Sequence, residues 1–94
     1  MKLEDFMSSV DEPNVPDGST PYLTALWHEK RGDWNRAHEI VQEIDDRSAA
    51  WVHAYLHRKE GDQGNAAHWY RQAGRPFPVT SLDEEWDEIV TALM

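Results

Sequence analysis

Trp51–Gly74, WVHAYLHRKEGDQGNAAHWYRQAG, reads as two short helices joined by a Gly-Asp turn, and the chain carries an earlier partial copy of it. Placing Gly61 over Gly32 aligns, without a gap, Ala54 with Ala25, His57 with His28, Lys59 with Lys30, Asp62 with Asp33 and Ala66 with Ala37. A duplicated helix-turn-helix is the unit of repeat architectures, in which each unit buries its apolar face by stacking on the next. The turn residues carry the physical reason. Gly adopts the left-handed conformation that ends one helix, and the Asp carboxylate accepts from the free N–H groups that open the following one.

Upstream of the first Gly-Asp, Thr20-Pro21 resembles an N-cap followed by Pro at the first helical position, where a missing N–H is no loss. The first hairpin helix is therefore expected from about Pro21 to Arg31. Beyond Asp33, the stripe Trp34, Ala37, Val41 and Ile44, with Ile40 beside it, predicts a second helix whose Arg36, Glu39 and Glu43 face outward. Asp45 to Ser48 reads as a tight polar connection. In the third helix Trp51, Ala54, Tyr55 and Arg58 share one side and Val52 and Leu56 lie next to it, so packing on two sides is expected. Ala66, Trp69, Tyr70 and Ala73 form the inward stripe of the fourth helix, which Gly74, Pro76 and Pro78 bring to an end.

The two ends complete the arrangement. Leu3, Phe6, Met7 and Val10 fall at helical spacing, and a helix this short must dock to persist. The run DEPNVPDGS that follows is a linker. Near the other end Ser81 and Glu84 have capping-box spacing, and Leu82, Trp86, Ile89, Val90 and Leu93 give the cleanest apolar stripe. That helix is expected to cover the last repeat and to turn its acids to water. The expected fold is all-α: a short antiparallel helical-hairpin repeat array with a C-terminal capping helix. It forms a single domain over 1–94, with an N-terminal helix at 1–10, a linker at 11–19, repeats at 20–47 and 48–78, and the cap at 80–94.

The pattern resembles the tetratricopeptide repeat in Ala25, Gly32, Asp33, Ala37 and Val41 of the first copy and Ala54, Gly61, Asp62, Ala66, Tyr70 and Ala73 of the second. Ala at a helix crossing lets two helices approach closely, and a large residue fills the space beside it. The copies are degenerate: Ile44 stands where the last small residue belongs, and the 29-residue spacing is shorter than the family's ~34. His28 and His57 also stand where the family prefers a bulky apolar or aromatic residue. The resemblance covers about residues 20–78 and implies stacked hairpins. Trp51–Gly74 also resembles small uncharacterised bacterial helical proteins with an HRKEGD and WYR pattern, a likeness that implies no reaction.

Composition narrows the function. In a chain of 94 residues, five Trp, three Tyr and two Phe supply much of the buried area. With no Cys, disulfides, thiolate nucleophiles and Cys-based zinc sites are all excluded. The opening MKLEDFMSSV is neither signal peptide nor membrane span, so a cytoplasmic location is expected. The net charge of -9 is uneven: eight Lys and Arg balance eight Asp and Glu between His28 and Arg75, and the excess acid lies toward both ends. That distribution offers no basic surface for nucleic acid and would be repelled by an anionic bilayer.

No motif names a reaction. His28-Glu29 begins like HExxH, but position 32 is Gly, and the phosphate-loop, dinucleotide and nucleophile-elbow patterns are absent. His53 and His57, four residues apart on one helix, can share a metal, with Glu60 or His68 as the third ligand. The plainer use is structural, with ring nitrogens bonded across the helix pair, and the equivalent placement of His28 and His57 favours it. The leading functional expectation is a module that binds a protein or peptide, without a cofactor. Its shallow concave face would be lined by the first helices of the repeats and would carry Trp27, His28, His53, His57, Arg58 and Glu60. The alternatives are a small metal- or ligand-binding protein or enzyme using His53, His57 and His68, and a structural homodimer.

Overall fold

The computed structural model describes residues 1–94 and contains six helices and no strand: α1 (Leu3–Ser9), α2 (Pro21–Lys30), α3 (Trp34–Gln42), α4 (Arg47–Glu60), α5 (Gln63–Ala73) and α6 (Leu82–Leu93). Local chemistry sets most of these boundaries. The Thr20 hydroxyl accepts from Leu23 N and Pro21 opens α2, while Asp33, Asp46 and Asp62 cap α3, α4 and α5 through the backbone N–H groups of Arg36, Ala49 and Asn65. Asp46 is thus a cap, and Arg47 and Ser48 already belong to α4, so the connection after α3 is shorter than its polar residues suggest. At both Gly-Asp turns the glycine has φ +88°, and the following Asp N–H donates back to a helix carbonyl, His28 O or His57 O, at 2.9 Å. This is a helix end that L side chains resist and Gly permits.

The pairs α2/α3 and α4/α5 pack as helical hairpins, and α3 also packs on α4. Ala25, Ala37, Ala54 and Ala66 are all fully buried, and a small side chain between packed helices permits close approach. In α4 every residue from Ala49 to His57 is buried, because neighbours cover it on more than one face.

The ends of the chain differ from expectation in one respect that matters for function. Helix α6 lies against α4, α2 and α1, across the first helices of both hairpins, and meets α5 only through side chains. Trp86, fully buried, donates its indole N–H to Leu26 O at 3.2 Å and meets Phe6 of α1 with ring centroids 5.9 Å apart. The segment after α1 is tied down as well. Trp27 Nε1 donates to Ser9 O at 3.0 Å, and Arg31 Nη1 donates to Val10 O and Glu12 O at 2.6 and 2.7 Å. A single connected core of 20 buried residues runs through all six helices. No helix is long and apolar enough to cross a membrane.

The acids of α6 are not all turned to water. The Ser81–Glu84 capping box forms, but Glu85 is buried at 2% exposure. Its carboxylate accepts from Trp51 Nε1 at 3.3 Å, from Arg58 Nη1 at 2.9 Å and from the Tyr70 hydroxyl at 2.6–2.7 Å. Arg58 also donates to Thr80 O. Burial of a charge is tolerated when paired donors replace water, and here they fasten α6 to α4 and α5.

Candidate functional site

The expected concave face is not open. On the side where α2 and α4 would line it, the chain's own α1 and α6 are packed, and Trp27 is buried at 3% exposure. Arg58 belongs to the Glu85 cluster on the same side. His28 is half-buried, its ring edge-on to Trp27 with centroids 5.1 Å apart. Burial and the nearby Arg36 charge lower its pKa below the usual range. His53, His57 and Glu60 lie elsewhere, toward α3 and α5. The six residues expected to form one partner surface are therefore divided: Trp27 and His28 on α2 and Arg58 on the α6 side of α4, against His53, His57 and Glu60 on the other side of α4.

On the α3/α5 side, α4 presents His53 and His57 one helical turn apart. Helix α3 brings His38 to them, four residues after Trp34, on the flank of the buried Ala37–Val41 stripe. One nitrogen from each of the three imidazoles falls within a group whose members all lie within 4.8 Å of one another. His38 Nε2 and His53 Nε2 are 3.0 Å apart, so one ring donates a proton and the other accepts it. His57 Nδ1–H donates to Glu60 Oε1 at 2.7 Å, and in the neutral ring this leaves Nε2 as the acceptor.

Aromatic rings hold the cluster in place. His53 stacks on Trp69 with centroids 4.0 Å apart and on His57 at 4.9 Å, while His38 stacks on Trp34 at 4.9 Å. Trp34 in turn donates its indole N–H to Leu56 O at 2.8 Å, which fixes the α3/α4 approach. His53 and His57 are 6% and 9% exposed, and His38 is half-buried. Desolvation, followed by the charges of His38, His57 and His68, pushes the His53 pKa down to about 4. His38 is lowered too, first by burial and then by the His57 charge. These two rings are neutral at neutral pH, the form in which imidazole binds a metal.

Three of the sequence-predicted residues, His53, His57 and Glu60, come together here, and His68 does not join them: it is exposed, edge-on to Trp69, and outside the ligand-distance group. The third imidazole comes instead from His38, which the sequence reading passed over. Its signals were modest: a position four residues after Trp34, next to the buried stripe, on the helix that hairpin stacking sets against α4. A second group, His57, Glu60 and Asp62, lies on the far side of His57. There Asp62 is engaged with Asn65, through Oδ1 to the backbone N at 3.2 Å and Oδ2 to Nδ2 at 2.6 Å.

No family model matches this chain, and no match was found among curated proteins or solved structures. The functional reading therefore rests on the residues and their geometry.

Proposed function

We propose that this protein holds a divalent transition metal at His38, His53 and His57, on a frame of two stacked hairpins of the tetratricopeptide type. What supports the reading is the convergence of three imidazoles from two helices, with nitrogens within 4.8 Å of one another. Tetrahedral zinc with bonds of about 2.0–2.1 Å sets ligand nitrogens roughly 3.3 Å apart, so the His38–His53 pair opens slightly and shifts its shared proton to a ring Nδ1, while the other separations, which lie within 4.8 Å, close toward that value. Imidazole suits zinc, copper and nickel, and the Glu60 carboxylate behind His57 is the partner that orients a ligating ring and raises its basicity. Isothermal titration of tag-free protein with zinc, followed by elemental analysis after gel filtration, tests this. One ion per chain is expected, with none retained by the His53→Ala/His57→Ala double variant. Failure of the wild-type protein to take up zinc defeats the reading.

The interaction-module reading keeps one specific support, at a different place from the first-helix face. Between α5 and α6, Val79 is 100% and Phe77 40% exposed, beside a cleft of about 360 Å³ walled by Trp51 and Tyr70. Exposed apolar residues at the rim of an aromatic cleft suit a peptide or protein contact. A Phe77→Ser/Val79→Asp variant tests it: a partner captured from lysate should be lost while the melting temperature holds. Solution mass shows whether that partner is a second copy of this chain.

A further inference from the structure

Building on the metal reading above, we infer that the ion held by His38, His53 and His57 keeps one coordination position open and binds a small monoanion there, of the class of azide, acetate or hydroxide. Three donors converge and no fourth His or carboxylate joins them, and the chain has no Cys. The nearest carboxylates are engaged elsewhere: Glu60 accepts from His57 Nδ1, and both Asp62 oxygens accept from Asn65. Zinc with three protein ligands fills its fourth position with water or a substrate atom, whereas structural zinc is closed by four.

Access and charge set the class of ligand. His53 and His57 are almost fully covered, so the approach runs past the half-buried His38. Trp34 stacks on His38 and Trp69 on His53, so bulky rings flank the cluster and a small ligand is the class that suits it. Three neutral imidazoles, with Glu60 as the one outer carboxylate, leave part of the charge of a divalent ion uncompensated at a largely desolvated position. An anion is favoured there over a neutral ligand, because the attraction is screened little. Without added anion, bound water fills the position, its pKa lowered by the metal toward ~7.

Cobalt(II) reports both steps, because four-coordinate cobalt absorbs visible light far more strongly than six-coordinate cobalt. Tag-free, full-length protein is titrated with cobalt chloride, and the loaded protein is then titrated with sodium azide or sodium acetate. The expected result is intense absorption saturating at one cobalt per chain, followed by a saturable spectral shift with either anion. His68→Gln should respond like the wild type. His38→Gln, at a half-buried position, should weaken cobalt binding at least tenfold while circular dichroism stays helical. Cobalt that binds with intense absorption but ignores both anions means a closed sphere, which overturns this inference and leaves the metal reading standing. No cobalt uptake in equilibrium dialysis overturns both, and unchanged affinity in His38→Gln shows that the ion sits elsewhere.

Discussion

On the α6 side of α4 the buried Glu85 carboxylate meets three donor groups, those of Trp51, Arg58 and Tyr70, whereas on the α3/α5 side three imidazoles mainly meet one another. Both clusters are polar, both are walled by aromatics, and both join one helix to another. They differ in closure. Glu85 has hydrogen bonds on both oxygens, and a satisfied network of this kind rigidifies and specifies packing. The histidine cluster has one hydrogen bond between rings, His38 to His53, and one to Glu60, and neither engages His57 Nε2. A closed buried network fastens a fold, and an unclosed one is where a ligand finds its place.

The comparison breaks first at Glu85. Glu85→Ala leaves Arg58 and the Tyr70 hydroxyl without their shared partner, and removal of one member of a buried pair costs about 3–5 kcal/mol. Urea unfolding followed by tryptophan fluorescence measures this, and a loss below about 1 kcal/mol would mean that apolar contacts alone hold α6. At the other cluster, zinc at a hundredfold excess over its Kd should stabilise the native state by about 2.7 kcal/mol. Calorimetric melting with zinc and with chelator reads that difference, which the His53→Ala/His57→Ala variant should lack.

Glu60→Gln sharpens the contrast further. Loss of an outer carboxylate typically weakens metal affinity about 10–100-fold. The same change at the exposed Glu60 should alter metal-free stability by about 1 kcal/mol or less, as expected for loss of one hydrogen bond to a partly solvated carboxylate. Competition against a zinc-binding dye, beside urea unfolding in chelator, separates the two quantities.

A further effect concerns pH in the metal-free protein. His53 is held at about 4 in the fold against the ordinary 6.5, so between these values the unfolded chain binds a proton that the native state refuses. This contribution to stability is fully present above about pH 6.5 and is lost progressively as the pH falls toward about 4, and His38 shifts in the same direction. Urea midpoints at pH 7 and pH 5 in chelator should differ in that sense, and His53→Gln should flatten the difference. A midpoint that rises on acidification would contradict the burial of His53.

Much of the fold was legible because its signals are local. Thr20-Pro21, Gly32-Asp33, Gly61-Asp62 and the Ser81–Glu84 box act within four residues, and each produces the cap or turn expected of it. The site was legible only in part. His53 and His57 share one helix and their proximity follows from helical period, but His38 reaches them across a helix crossing, and His68, closer in sequence, stays outside. The duplication also misled at one point. His28 and His57 align between the copies, yet His57 has α3 beside it and His28 rests against Trp27, because the first hairpin has no hairpin before it to supply the same neighbour.

The sequence by itself determined where helices start and stop, which stripes are apolar, and that two hairpins follow one another, since these depend on backbone conformations and periods within a few residues. Only the tertiary structure decided that α1 and α6 cover the first-helix face, that Glu85 is a buried anchor and that His38 completes the imidazole trio. Those outcomes depend on which apolar stripe meets which. Several helices here carry stripes able to pair, and the choice among them is made by the packing of the whole core around Trp86, Phe6 and α4.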